Sequence, residues 1–322
     1  MNKLFYAFKL AFSAIMCGML GGAVPAGANS DGKKSEDASY PVALTNQSGS
    51  CLEVHDLSKG KLDEHSLLWS CKMPYYNIAG TKLRCSEKHG KVALAVCGGS
   101  YGCMISYPKG ELLWSTNAAA NNPHSIELMP NGVIAIASSY GDEVRFFTTD
   151  QEISETPSAS ITLEDAHGVL WDEEKEVLWA IGRNVLAAYH VERTADGGVS
   201  VTKEDDLCLT IPSDHAHDLA PVYGNRNELW VTTTSHVYRF NKAEKTFSTD
   251  YKGSSFLDRS GIKGVGNFDD GSIVFIYPDG KFKSWTGQSA FLLSASDGTK
   301  VESLNSADKH FYKIRVWDAR YQ

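Results

Sequence analysis

The sequence has no surplus of basic residues, which narrows the range of partners. Its 322 residues include 31 Lys and Arg against 39 Asp and Glu, so the formal net charge is −8. Such a chain lacks the excess positive charge that displaces counterions from phosphates, and we expect no nucleic acid partner. Only 10 residues are proline, which excludes a collagen-like or proline-rich low-complexity chain.

Long apolar runs and the signature motifs of common enzymes are also missing. Beyond residue 28 no apolar run approaches the roughly 18 residues that span a bilayer, so no membrane span is predicted. No G-x-S-x-G, P-loop, H-E-x-x-H or dinucleotide fingerprint occurs, and no C-x-x-C pair suggests a zinc ribbon. The aromatic residues, at 11%, favour a folded, β-rich protein.

The N-terminus indicates the compartment. Two lysines precede an apolar segment from Leu10 to Ala28 that ends in an A-x-A cleavage motif. Residues 1–28 are therefore predicted to be a signal peptide, and the protein to be secreted or periplasmic. A lipoprotein acylated at Cys17 is the alternative. We expect residues 29–40 to be a polar linker and residues 41–322 to form a single domain.

A unit of short strands and Asn-Gly or Asp-Gly type turns recurs along the chain with a period in the forties. Its clear copies begin at Pro123, Ala166, Ala216 and Ile262, and a weaker copy begins at Lys82. Four-stranded antiparallel units at this period are typical of the blades of a β-propeller. The predicted fold class is therefore all-β.

The ends of the chain predict how many blades there are. Residues 41–72 supply three strands without an opening strand, and one orphan strand remains near Phe311. If this strand docks as the innermost strand of the first blade, the ring closes and its edges disappear. The sequence predicts a monomeric six-bladed β-propeller closed by the C-terminal strand, with five or seven blades as alternatives.

Alignment of the blades on their first strands places basic side chains at equivalent positions. Counting eight residues back from the turn glycines, or taking the residue that opens the strand, selects Lys82, His124, His167, His217, Lys263 and Lys313. Equivalent positions surround the axis of a propeller, so we expect three lysines and three imidazoles to meet at one mouth of the channel. No pair of carboxylates falls there, which argues against a two-carboxylate glycosidase.

The second strand of each blade returns to the same rim, and polar residues lie at the end of this strand. From this set we predict that Gln47, Ser138, Arg183 and Tyr277 contact a ligand. Arg183 offers a bidentate fork for a carboxylate, and the ring of Tyr277 could stack on a sugar.

The run Asn122-Pro-His-Ser-Ile-Glu-Leu-Met-Pro-Asn-Gly, with His167-Gly-Val-Leu-Trp-Asp, His217-Asp-Leu-Ala-Pro-Val and Tyr312-Lys-Ile-Arg-Val-Trp, resembles a family of exported bacterial propellers of unassigned function. The resemblance covers nearly the whole mature chain. A looser similarity, in site arrangement alone, links the chain to virginiamycin B lyase and oligogalacturonate lyase propellers. In the latter a histidine ring holds a divalent metal on the axis, and this similarity is an analogy.

The sequence allows two kinds of ligand in the predicted ring, a metal ion or an anion. His124, His167 and His217 could bind one divalent ion, Mn²⁺, Zn²⁺ or Ni²⁺, completed by Gln47 or water. The lysines on the same rim would repel that ion. An anion could instead satisfy the basic groups without any metal, because buried like charges need a compensating partner.

The sequence therefore predicts an exported propeller that acts on or binds an anionic carbohydrate. As a uronate lyase, it would neutralise the substrate carboxylate and remove the neighbouring proton, with Lys313 or Tyr312 as the base. The alternatives are a non-catalytic binder of an anionic small molecule or acidic glycan, and a protein-interaction scaffold. In an oxidising compartment we also predict disulfides Cys51–Cys71 and Cys97–Cys103.

Overall fold

Twenty-four short strands account for most of the computed structural model, which describes residues 38–295 and 301–322. The predictions for residues 1–28, including Cys17, and for most of the linker lie outside this range. In chain order the strands are β1 (Pro41–Asn46), β2 (Cys51–Asp56) and β3 (Leu67–Lys72) in blade 1; β4 (Gly80–Ser86), β5 (Gly90–Cys97), β6 (Tyr101–Ser106) and β7 (Leu112–Thr116) in blade 2; β8 (Pro123–Leu128), β9 (Val133–Ser138), β10 (Glu143–Thr148) and β11 (Ala159–Thr162) in blade 3; β12 (Gly168–Asp172), β13 (Val177–Ile181), β14 (Val185–Arg193) and β15 (Val199–Thr210) in blade 4; β16 (Ala216–Pro221), β17 (Glu228–Thr233), β18 (Val237–Asn241) and β19 (Thr246–Ser248) in blade 5; β20 (Gly264–Asn267), β21 (Ile273–Ile276), β22 (Ser289–Leu293) and β23 (Val301–Asn305) in blade 6; and β24 (Phe311–Val316).

Helical structure in the described residues is confined to a 3-10 turn, Leu57–Lys59, and one short helix, α1 (Ser254–Leu257). Within this part of the chain no helix has the length and apolar character needed to cross a membrane.

The sheets form a closed ring of six antiparallel blades. Strand order is β24-β1-β2-β3 in blade 1 and sequential in the other five. The first strands of neighbouring blades contact one another in a complete cycle, from β24 through β4, β8, β12, β16 and β20 back to β24. They therefore surround the axis, and the prediction of six blades is confirmed.

Closure by the C-terminal strand is also confirmed. β24 pairs antiparallel with β1, with Val316 opposite Val42 and Ile314 opposite Leu44. The turn glycines used in the sequence analysis adopt the left-handed conformation, with φ of +68° at Gly90, +76° at Gly132 and +85° at Gly271, which other residues rarely adopt.

The core consists of six apolar clusters, and each one fills the seam between two adjacent blades. Trp114, Trp179 and Trp230 are fully buried in these seams. The second strand of a blade is covered on both faces by neighbouring blades, so it reads as an almost continuous apolar run. In β9, for example, every residue is buried and only Ser138 is polar.

The two ends of the channel differ. The inner strands all begin at one end, which we call the mouth, and finish at the other, which we call the base. Residues 317–322 follow β24 and lie across the base: Tyr321 donates to Leu128 O in blade 3 (2.6 Å), and the Gln322 side chain meets Lys242 and Glu228 O in blade 5. The residues after β24 therefore cover part of the base.

The two predicted disulfides are wrong, because the strand registers offset the cysteines. Cys97 lies opposite Tyr101 and Cys103 lies opposite Ala95, so this pair is two positions out of register. Cys51 lies opposite Lys72 and Cys71 lies opposite Leu52, so that pair is one position out of register. All six cysteines of the described residues have free thiols.

Candidate functional site

Three imidazoles meet at the mouth, one from each of blades 3, 4 and 5. The rings of His124 and His167 stack with centroids 4.2 Å apart, and His167 meets His217 edge-on at 5.4 Å. His124 and His167 are at most 9% exposed. The alignment of the blades on their first strands therefore selects three side chains that the structure brings into contact.

Local backbone irregularities aim these side chains into the channel. The register with the second strand shifts between Pro123 and Ser125 in β8, and between Ala216 and Asp218 in β16. His124 and His217 are the extra residues of these two bulges. A bulge of one residue commonly re-aims a side chain next to a functional site.

Lys263 and Tyr312 extend the cluster to blades 6 and 1. Lys263 Nζ lies 3.0 Å from Nε2 of His217, and Tyr312 Oη lies 3.2 Å from Nδ1 of His124. The sixth position belongs to Ala79, whose N–H bonds the second strand as the N–H groups of His167 and Lys263 do. We call Ala79, His124, His167, His217, Lys263 and Tyr312 the mouth ring.

Hydrogen bonds assign the tautomers of His167 and His217. Nδ1 of His167 lies 2.9 Å from the backbone oxygen of Asp165 and 3.2 Å from its Oδ1. An oxygen acceptor there requires Nδ1 to carry the proton, which leaves the lone pair on Nε2. In His217, Nε2 accepts from the Lys263 ammonium, so the proton is on Nδ1, which is buried and has no hydrogen-bond partner.

His124 has the same tautomer. The amide nitrogen of Asn122 lies 2.9 Å from Nε2, which therefore accepts, and Nδ1 donates toward Tyr312 Oη. In this arrangement the Tyr312 hydroxyl hydrogen is free for another acceptor. Burial raises the pKa of Tyr312, so the phenol stays protonated at neutral pH.

The cluster lowers the pKa values of two of its imidazoles, His124 and His217, and of its lysine. Burial, with the other imidazoles and lysines second, lowers the pKa of His124, and burial next to Lys263 lowers the pKa of His217 to about 2. Burial, followed by repulsion from Lys313, lowers the pKa of Lys263 to about 8. A bound anion would reverse these shifts, because it favours the charged forms.

The residue two positions before five of the six ring members is held in a left-handed backbone conformation, Tyr312 being the exception. In blades 2 to 5 these residues have positive φ: 52° at Asn77, 59° at Asn122, 52° at Asp165 and 55° at His215. The left-handed region disfavours residues other than glycine, and such strain clusters at functional sites. Asn122 and Asp165 bond ring histidines, and His215 Nδ1 lies 3.4 Å from Asp165.

Lys82 and Lys313 do not belong to the ring, contrary to the alignment. Lys82 lies three residues beyond Ala79 on β4, and its ammonium bonds Glu127 Oε2 at 3.0 Å and the backbone oxygen of Val169. The hairpin of blade 2 continues further toward the base than that of blade 3, so its turn glycine lies further from the mouth. Counting from that glycine therefore selects a deeper residue.

Lys313 lies one residue beyond Tyr312 and points into the channel interior. Its ammonium is 1% exposed and bonds Asp218 Oδ1 at 3.1 Å and the backbone oxygen of His217 at 2.9 Å. Arg315 forks onto the same carboxylate, as Arg84 does onto Glu127. Two buried clusters thus each hold two cations and one carboxylate.

The other predicted ligand residues lie around the mouth with partners of their own. Gln47 donates to Ile78 O and accepts from Trp285, and Ser138 is buried and donates to Ala119 O. Arg183 pairs with Glu164 at 3.0 Å. The ring of Tyr277 stacks on Phe291 and carries the Arg259 guanidinium 4.4 Å from its centroid. None of the four contacts a ring histidine.

Hydrogen bonds to the histidines of the mouth ring reduce the number of nitrogen atoms that could bind a metal. Within the described residues no group of three or more His, Cys, Asp or Glu side chains is arranged to hold a metal ion. The lone pairs of His124 and His217 accept from Asn122 and Lys263, so His167 alone keeps a free one. This arrangement does not fit a three-imidazole metal site.

Sequence reasoning missed Asp165, Asn122, Glu127 and Asp218. A signal for the first two exists, since the residue two before each ring member is Asn, Asp, His or Gly, the types that tolerate positive φ. A signal for the carboxylates is the repeated Lys-x-Arg of β4 and β24, which implies two internal acceptors of positive charge.

These features define a six-bladed β-propeller with a polar, histidine-rich mouth. A family model described as "Family of unknown function (DUF6528)" matches residues 79–300, and the chain belongs to this family. A search of the curated proteins gives no match to the chain.

Proposed function

We propose that the mouth ring binds an anionic carbohydrate through a carboxylate. The observation that carries the proposal is the environment of Lys263. Its ammonium bonds a neutral imidazole, and among the described residues it forms no ion pair with a carboxylate. Lys263 is partly buried, and the carboxylate of Asp165 acts on it only from beyond ion-pair distance. An incoming carboxylate would therefore gain a charge-assisted hydrogen bond and offset the cost of desolvating the ammonium.

Exposed aromatic rings near the mouth favour a sugar over a simple inorganic anion. The large aromatic side chains that are exposed in the described chain are Tyr75, Tyr76, Tyr140, Phe282 and Trp285. All five lie on connections at the mouth end of the blades. Aromatic rings with a polar neighbour suit the apolar face of a sugar. We also propose export through residues 1–28, which would place the site among extracellular or periplasmic glycans.

Isothermal calorimetry against galacturonate, mannuronate and guluronate tests the proposal, with the neutral sugars as ligand controls. Lys263→Met should weaken uronate binding about 10- to 100-fold, the equivalent of roughly 1.5–3 kcal/mol for a charged hydrogen bond. The matched control is Lys88→Met, an exposed lysine in a turn at the base. Equal binding of acidic and neutral sugars, or wild-type affinity in Lys263→Met, would refute the proposal.

A second candidate function, uronate lyase, is favoured by the Asp165–His167 pair. Asp165 fixes the proton on Nδ1 of His167, so the lone pair of Nε2 is available as a general base. In β-elimination this nitrogen would take the proton from the carbon next to the carboxylate. The carbon–carbon double bond forms, the neighbouring C–O bond breaks, and the leaving oxygen takes a proton from the Tyr312 hydroxyl or from water.

This assignment moves the base from Lys313 and Tyr312 to His167. Lys313 is engaged by Asp218, and the raised pKa of Tyr312 keeps its hydroxyl a proton donor. Absorbance of unsaturated uronate products measures the reaction. His167→Gln should lower the rate by about 100-fold or more with substrate affinity retained, whereas the exposed His190→Gln should leave it unchanged. Binding without any product leaves the non-catalytic binder.

The divalent metal stays a prediction with its own test. Elemental analysis of protein purified without chelators or a histidine tag should find no stoichiometric metal if the tautomers described above are those of the working site. Stoichiometric Mn, Zn or Ni that disappears in His124→Ala, His167→Ala and His217→Ala would instead establish the metal site.

A further inference from the structure

The connection between β21 and β22, residues 277–288, is fixed beside the mouth ring. Gly287 and Phe311 exchange two backbone hydrogen bonds of 2.9 and 2.8 Å, and Phe311 directly precedes Tyr312 of the ring. A Cβ on Gly287 would come within 2.3 Å of the backbone oxygen of Tyr277, so this close approach requires glycine. We call residues 277–288 the mouth loop.

The tip of the mouth loop holds Lys283 in one place. Thr286 closes a turn on Lys283, with its N–H 3.0 Å from Lys283 O. The Lys283 ammonium donates to Oδ1 of Asn77 and lies 3.5 Å from Oε1 of Gln47. These neutral oxygens belong to the connections before blade 2 and within blade 1, so the ammonium is positioned over the seam next to the ring.

Lys283 lacks an anionic partner among the described residues. The single carboxylate of the mouth loop, Asp279, accepts from the N–H groups of Lys281 and Gln288 and lies 4.0 Å from Lys281 Nζ. The Lys283 ammonium therefore contacts neutral oxygens, just as the Lys263 ammonium contacts a neutral imidazole.

Two aromatic rings flank this ammonium. Lys283 Nζ lies 5.3 Å from the ring centroid of Phe282 and 5.7 Å from that of Trp285. Phe282 is 50% exposed and Trp285 42% exposed, and Trp285 is oriented by a 3.0 Å bond from Nε1 to Gln47. Exposed, oriented rings around an uncompensated cation suit a sugar that carries a carboxylate.

We propose that Phe282, Lys283 and Trp285 form a second subsite, which binds the carboxylate of a neighbouring residue in the same acidic glycan. The inference rests on the proposed function of the mouth ring and extends it: the ligand is an oligouronate rather than a single sugar acid. Two separate cations, each without a carboxylate, then engage two acidic units of one chain, and the linked units gain affinity over one unit alone.

Calorimetry with uronate monomers and their linear tetramers tests the subsite. The tetramer of the preferred uronate should bind wild-type protein about tenfold or more tightly than the monomer. Lys283→Met and Trp285→Ala should each lower tetramer affinity to near that of the monomer, and Lys283→Met should leave monomer affinity unchanged. Lys281→Met, two positions away in the same loop, is the matched control and should keep the tetramer preference. Lys263→Met should weaken both ligands.

The outcomes separate the subsite from the proposed function. Monomer binding with no preference for the tetramer, or a preference that survives in Lys283→Met, overturns the subsite alone. No binding of any uronate overturns both. If Trp285→Ala does not fold, Lys283→Met decides the question, with Lys281→Met as its control.

Discussion

Lysines deep in the channel and lysines at its mouth have different kinds of partner. Deep in the channel, Lys82 and Lys313 each share a buried carboxylate with an arginine, Glu127 in one cluster and Asp218 in the other. At the mouth, Lys263 and Lys283 touch only neutral acceptors in the described structure. The deep lysines are compensated by the chain itself, whereas the mouth lysines are not.

The difference separates stabilising charge from charge available to a ligand. A deep carboxylate neutralises one of two cations, so removing it leaves both cations buried without a counter-ion, although each keeps a backbone oxygen as an acceptor. The loss of the counter-ion is a cost in stability. An uncompensated mouth lysine instead costs stability while it is unliganded, and this cost is what a bound anion can recover. The predictions below test this division.

The largest effect is expected from the deep carboxylates. Glu127→Gln and Asp218→Asn should each lower the free energy of unfolding by about 3–5 kcal/mol, because two cations lose their counter-ion in the interior. Urea unfolding followed by tryptophan fluorescence measures this, with exposed Glu174→Gln as the control. Unfolding midpoints equal to that of the wild type would show that these clusters do not stabilise the fold.

An intermediate effect is expected on the pH dependence of binding. The free Lys263 amine titrates with a pKa of about 8, and an anion binds the protonated form. Uronate affinity should therefore be level near pH 7 and fall about tenfold per pH unit above about pH 8, until the pKa of the complex is reached. Lys263→Arg should remove the fall, since guanidinium stays charged. Calorimetry across this range that shows no fall for wild type would contradict the assignment.

The smallest effect is on the stability of the unliganded protein. The pKa of Lys263 is lower in the folded than in the unfolded state, so below about pH 8 the folded state carries an unfavourable charge. This penalty disappears as the pH rises from about 8 toward the unfolded value near 10.5. Lys263→Met should raise the melting temperature by about 1–2 °C near pH 7.

This gain in Lys263→Met should shrink to nothing by about pH 10. Scanning calorimetry of wild type and variant at several pH values measures the difference. A destabilised Lys263→Met near pH 7 would mean that the mouth lysine contributes to stability as the deep lysines do, and the division between the two regions would fail.

The fold was predictable because its signals are local and repeated. Turn pairs such as Asn131-Gly132 specify hairpins from adjacent residues, and the period of the units specifies blades. The unpaired strand at Phe311–Val316 could be assigned to blade 1 because a ring leaves one place for it. Disulfides failed for the opposite reason: pairing Cys97 with Cys103 needs a register that the strands do not have.

The site was predictable in part. His124, His167, His217 and Lys263 are found by alignment on the inner strands, and the structure brings them together. The depth of Lys82 could not be found in this way, because depth depends on hairpin length at the base. The carboxylate partners of the deep lysines come from other blades, 45 or more residues away, and periodicity carries no information about such pairs.

Strand β24 links ring closure to the assembly of the site. It follows the strands of all six blades along the chain, and it carries Tyr312 of the mouth ring together with Lys313 and Arg315, the partners of Asp218. Until it docks against β1, blade 1 lacks its inner strand and the Asp218 carboxylate has no counter-ion. A chain whose ring is not closed therefore cannot present a complete mouth ring, and ligand binding would report ring closure as well as recognition.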